Sequence, residues 1–188
     1  MPNFLTHAER AVLAAAAERL IPATDSHPGA TALGVVDYID GMLSAFLVDP
    51  PRIWAGGPFS GRNGGGATFE AFSPLGHLEE LAWRTRIEGS LGIAQRERLG
   101  PVTGWQQDYR DGIASLGTDF CDCGDSEQDV RLGALPDFKQ LLYVHACEGA
   151  YGAPEYGGNR DLAGWNAIQF PGDVQPRGYT DAEVSGRE

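Results

Sequence analysis

Apolar positions recur at helical spacing through most of the chain. Thr6–His7–Ala8–Glu9 has the form of a capping box, in which the threonine hydroxyl and the glutamate carboxylate each satisfy a free backbone N–H. A helix is therefore expected to start at Thr6. Val12, Leu13, Ala16 and Leu20 form its apolar stripe. Ile21–Pro22 ends it, because proline disfavours the α region in the residue before it. Val36, Ile39, Leu43 and Phe46, with Val35 and Met42 beside them, predict a second helix over about 31–48, stopped by Asp49–Pro50–Pro51. Leu78, Leu81, Trp83 and Ile87 predict a third over about 75–90. Trp105, Tyr109, Ile113 and Leu116 predict a fourth over about 103–116. Ser126 can cap a short helix over 126–133, with Glu127 and Asp129 near its positive end. Pro136 suits the first turn of a last helix over about 136–149, whose buried side carries Phe138, Leu141, Leu142 and His145.

Two stretches break the pattern. "RIWAGGPFSGRNGGGATFEAFSP" is rich in breakers yet holds Trp54, Phe59, Phe69 and Phe72. Loops of this length are uncommon unless functional or mobile. After Tyr151 no regular element is convincing, and no β-hairpin signal appears anywhere. The fold expected is all-α: an irregular bundle of five or six helices, a long Gly-rich loop at about 49–73 and an extended C-terminal arm. The helical body, 1–150, and the arm, 151–188, are read as one domain.

Size and charge narrow the function. A chain of 188 residues that is 42% hydrophobic and 21% charged can bury a real core in one domain. The formal charge of −12 opposes binding to nucleic acid or anionic lipid. No apolar run of about 18 residues is present, so no transmembrane segment is expected. The N-terminal stretch is interrupted by Glu9, Arg10, Glu18 and Arg19 and does not read as a signal peptide. The chain as given is read as cytoplasmic, and a mature form cut from a longer precursor would look the same. Lys139 is the only lysine against many arginines. That bias suits interface pairing, and GC-rich coding produces it equally well.

Few residues point to chemistry. His145 and Glu148 stand three apart on a predicted helix, a spacing that places imidazole and carboxylate on one face, as in metal sites of helical bundles. The competing reading is a packed histidine near a helix C-terminus, where the helix dipole favours its charged form. Cys121, Cys123 and Cys147 form an odd set, and Cys–Asp–Cys is too tight for a zinc knuckle. An independent helical metal-binding protein using His145, Glu148 and the cysteines is one alternative. A stand-alone ligand-binding domain, with a cleft between the Gly-rich loop and the arm, is another. "GRNGGG" lacks the lysine and the preceding strand of a phosphate loop, and no nucleophile elbow is found. No catalytic, cofactor-binding or metal-binding residue is assigned.

The arm is the informative part. "EYGGNRDLAGWNAIQFPGDVQPRGY" has no core of its own but carries Tyr156, Trp165, Phe170 and Tyr179, residue types that anchor interfaces. Gly157 and Gly158 permit positive φ and close backbone approach. Asn159, Arg160 and Asp161 form a polar run, and the Arg160 guanidinium can fork onto a carboxylate or carbonyls. These nine residues are the candidate partner interface. The arm covers a partner, its own helices, or both.

The stretch from Leu5 to Leu43, with its helix, Ile–Pro–Ala–Thr–Asp segment and downstream His–Pro–Gly–Ala, resembles the gluconate 2-dehydrogenase subunit 3 family. So does the stretch from Phe138 to Tyr179, through its Glu–Gly–x–Tyr–Gly–x–Pro–x–Tyr–Gly–Gly–Asn run. The matching segments reach both ends of the chain and are weakest over 52–129. The resemblance implies a non-catalytic small subunit that binds, stabilises and helps mature a large FAD-containing oxidoreductase of the glucose–methanol–choline (GMC) type. That partner oxidises sugars or related alcohols. The resemblance puts FAD in the partner and no cofactor in this chain. In some relatives the complex also holds an iron–sulfur cluster or a cytochrome subunit, and the resemblance makes the location periplasmic if a twin-arginine signal was removed or is supplied by a partner.

Overall fold

The computed structural model describes residues 3–56 and 73–171. The Gly-rich core of the predicted loop, with Phe59, Phe69 and Phe72, lies outside the described residues, as does Tyr179. Helix α1 spans His7–Leu20. The capping box is formed as expected: Glu9 N–H donates to Thr6 Oγ1 at 3.3 Å, and Thr6 N–H donates to Glu9 Oε2 at 2.7 Å. Helix α2 spans Val35–Leu43, shorter at both ends than predicted. Gly34 precedes it in the left-handed region at φ 75°, which keeps 31–34 out of the helix. Helices α3 (His77–Glu88), α4 (Trp105–Leu116), α5 (Asp125–Gly133) and α6 (Pro136–Tyr151) follow close to their expected bounds.

The all-α expectation needs correction. Strands β1 (Trp54–Gly56) and β2 (Ser73–Pro74) pair antiparallel, with Trp54 opposite Pro74 and Gly56 opposite Ser73. Elements of two or three residues are too short to show a period of two. The arm was expected to be irregular, yet it holds two 3₁₀ turns, Pro154–Tyr156 and Arg160–Leu162, and a short helix α7, Ala163–Ala167. The described residues thus contain seven α-helices rather than five or six.

The core lies where the stripes of α1, α2, α4 and α6 meet. Leu13, Leu33, Ile39, Leu43, Tyr109, Leu116, Phe120 and Leu142 are all fully or almost fully buried there. The packing of α2 along α6 is the spine of this arrangement. Burying each such side chain contributes about 1.5–3 kcal/mol. Among the described residues, no helix is long and apolar enough to cross a membrane.

Candidate functional site

Two structures converge on α6: a cap on its C-terminal end and an aromatic cleft along its side. The cap is built by the arm. A helix end leaves its last carbonyls without intrahelical partners, and here the arm supplies the donors. Gly152 N–H donates to Glu148 O at 2.7 Å, and Asn159 N–H donates to Gly149 O at 2.6 Å. Trp165 Nε1–H donates to Tyr151 O at 2.6 Å, and Asn159 Nδ2 donates to Gly152 O at 3.0 Å. Asn159 Oδ1 accepts from Gly164 N–H at 3.0 Å, so one fully buried side chain ties α6 to α7. The two glycines permit this geometry. Gly157 turns at φ 101°, and a Cβ on Gly158 would stand 2.0 Å from Gly149 O.

The candidate interface residues therefore divide. Gly158, Asn159 and Trp165 are buried within this chain, whereas Tyr156, Gly157, Arg160, Asp161 and Phe170 are exposed. Trp165 and Phe170 pack edge to face with centroids 5.1 Å apart. Arg160 N–H donates to Leu33 O at 3.1 Å, and its guanidinium pairs with Asp37. Asp37 also pairs with Arg10, which reaches the buried Asp40 at 2.5 Å. Asp40 Oδ1 in turn accepts from Phe4 N–H and Leu5 N–H, both at 2.9 Å. Through Arg160 alone the Asn–Arg–Asp run joins a charge network that fastens the N-terminal entry of the described chain to α2.

The cleft encloses about 410 Å³. Its walls come from Tyr38 and Met42 of α2, Arg52–Trp54 at the entry to the Gly-rich loop, and Trp83 and Arg86 of α3. Trp105 of α4, Val144, His145 and Glu148 of α6, and Glu155 and Tyr156 of the arm complete them. Trp83 and Trp105 meet edge to face at 6.3 Å, and Trp54 and Tyr156 lie 5.9 Å apart. The Arg86 guanidinium stands over both Trp83 and Trp105. The Trp105 ring meets His145 at 4.5 Å.

His145 and Glu148 share this wall, but each is held by a tyrosine. Tyr38 Oη donates to Glu148 Oε2 at 2.9 Å, and burial followed by the nearby carboxylate raises the phenol's pKa. His145 is 2% exposed, with Nδ1 3.0 Å from Tyr109 Oη. Burial lowers its pKa to about 4, so the imidazole is neutral at pH 7. Desolvation thus outweighs any pull of the helix end toward the charged form. Cys121, Cys123 and Cys147 are free thiols. Among the described residues, no three His, Cys, Asp or Glu side chains gather to hold a metal ion.

The three cleft tryptophans were visible in the sequence, but as members of separate segments. Their convergence had no local signal, since it follows from how α2, α3, α4 and α6 pack. A model of the gluconate 2-dehydrogenase subunit 3 family matches residues 7–172. The chain belongs to that family. No curated protein and no solved structure matches it. As a gluconate 2-dehydrogenase subunit 3 protein, it is of a kind that serves as one subunit of a dehydrogenase complex. The matched range takes in the residues of both the cap and the cleft.

Proposed function

We propose that the protein is the non-catalytic small subunit of a dehydrogenase complex, and that it binds, stabilises and helps mature a large FAD-containing GMC-type oxidoreductase acting on sugars or related alcohols. The family match over residues 7–172 carries this reading. Two features support it. The link between α3 and α4 leaves Leu91, Ile93, Leu99 and Val102 exposed, and Ile168 and Phe170 are exposed at the end of the described arm. In this reading these side chains are among those the partner covers. Among the described residues no dinucleotide-binding βαβ unit is formed, and in this reading flavin binding belongs to the partner.

The test is co-expression with the adjacent reading frame, followed by purification through a tag on this chain. A yellow, flavin-bearing larger polypeptide is expected to copurify. The chain expressed alone is expected to be colourless and without dehydrogenase activity. Stoichiometric flavin on the isolated chain would overturn the proposal.

A further inference from the structure

The cleft beside α6 holds one polar group whose orientation is fixed and whose use is not accounted for. Tyr109 is fully buried, and its hydroxyl has His145 Nδ1 as its hydrogen-bond partner. A buried hydroxyl must place its proton on an acceptor. The Tyr109 proton therefore points at Nδ1, and the imidazole carries its own proton on Nε2. Among the described residues, Nε2–H has no hydrogen-bond partner. Tyr109 does not line the cleft but His145 does. The edge of the ring turned toward the cleft is then the one bearing Nε2–H.

The surroundings define what that donor could meet. Three tryptophans and two tyrosines line the cavity, which favours a flat aromatic body. The formal charges of its described lining residues sum to zero, Arg52 and Arg86 against Glu148 and Glu155, which matches a ligand without net charge. Its volume of about 410 Å³ falls in the range of small-molecule sites. We propose that this cleft binds a neutral, planar aryl carbonyl compound, with its ring among Trp54, Trp83 and Trp105 and its oxygen accepting from His145 Nε2–H. The proposal rests on the cleft alone and stands whether or not the subunit reading holds.

The full chain is titrated with 2-acetylnaphthalene and with 2-ethylnaphthalene, which has the same ring system without the oxygen. Tryptophan fluorescence and calorimetry give the affinities. One-to-one saturable binding is expected, about tenfold tighter for the ketone, as one neutral hydrogen bond provides. Val144→Trp places bulk at the cleft wall from a position that is 42% exposed, so the fold is spared. It is expected to weaken ketone binding about tenfold or more with an unchanged circular dichroism spectrum. His145→Phe is expected to equalise the two probes. If that variant fails to fold, the probe pair on the wild type and the Val144→Trp titration still decide. Absence of saturable binding, equal wild-type affinities, or a Val144→Trp titration identical to wild type would overturn the proposal. Nitrogen NMR of histidine-labelled chain adds an independent check: Nε2–H is expected for His145, and an Nδ1–H tautomer would also overturn it.

Discussion

The helical body and the arm are held by different physics. The body closes by burying repeated apolar stripes, with Leu13 and Ala17 of α1 and Ile39 and Leu43 of α2 in one core. Each contact is replaceable by another of similar size, because dispersion and burial carry no direction. The arm closes through a few named hydrogen bonds to the end of α6, made by Asn159 and Trp165. Those bonds have direction and fixed partners, so a substitution there has no ready replacement. The same aromatic and polar residues that suggest partner recognition are spent, in part, on finishing the chain's own longest helix.

The strongest way to break this contrast is Trp165→Ala. The side chain is 6% exposed, and its indole N–H satisfies Tyr151 O. Its loss removes a large buried ring and leaves a helix-end carbonyl without a donor, for an expected cost of about 3–5 kcal/mol. Chemical denaturation should show the midpoint falling well below that of Leu20→Ala, a partly buried stripe residue. Equal losses in the two variants would mean the arm is no more specific than the body.

Acid provides the next test. A histidine whose folded pKa lies at about 4, against about 6.5 when unfolded, binds fewer protons in the native state across that window. Its contribution is full above about pH 6.5 and is lost as pH falls toward 4. The difference of about 2.5 units corresponds to about 3 kcal/mol. The double variant Tyr109→Phe/His145→Phe removes both the titrating ring and the hydroxyl that depends on it. Its stability should fall less steeply between pH 6.5 and 4 than that of the wild type. Parallel curves would show that His145 is not the group responsible.

Asn159→Asp sharpens the comparison within the arm. The change keeps the acceptor for Gly164 N–H, loses the Nδ2 donor to Gly152 O, and sets a carboxylate beside helix-end carbonyls. A cost of about 2 kcal/mol is expected, measured by thermal or chemical unfolding. A neutral result would show that the backbone bond from Asn159 N–H to Gly149 O holds the turn without help.

The same division decides what could be read from the sequence. The first helix and its capping box were legible because the signal is local and spans four residues. The bounds of α3 to α6 were near the mark because each carries several turns of stripe. Helix α2 was overextended because Phe46 continues the apolar pattern past Leu43 and nothing in that pattern marks the left-handed turn at Gly34. Helix α7 has five residues, fewer than two helical turns, and could give no period. The bonds from Asn159 and Trp165 to the end of α6 join residues seven to fourteen positions apart through backbone and side-chain donors, so the arm's aromatic and glycine content was visible but its purpose was not. His145 was legible as a packed histidine. Its partner Tyr109 comes from another helix, and nothing near either residue announces the other.

Arg160→Lys has the smallest expected effect and separates the two roles the arm can have. The guanidinium meets Asp37 through a single nitrogen, and both side chains are about half exposed. Asp37 keeps Arg10 as a second cation whether or not Arg160 is present. The backbone bond from Arg160 N–H to Leu33 O is untouched by the substitution. Exposed pairs of this kind contribute roughly 0–1 kcal/mol, and lysine retains the charge, so thermal stability should barely move. Capture of the proposed flavoprotein partner is a different measurement on the same variant. The guanidinium keeps nitrogens not engaged with Asp37, a planar set of donors that lysine cannot reproduce. If capture falls while stability holds, Arg160 spends one nitrogen on its own chain and the rest on the partner. If stability falls by about 2 kcal/mol instead, the pair belongs with Asn159 and Trp165 among the bonds that close the arm.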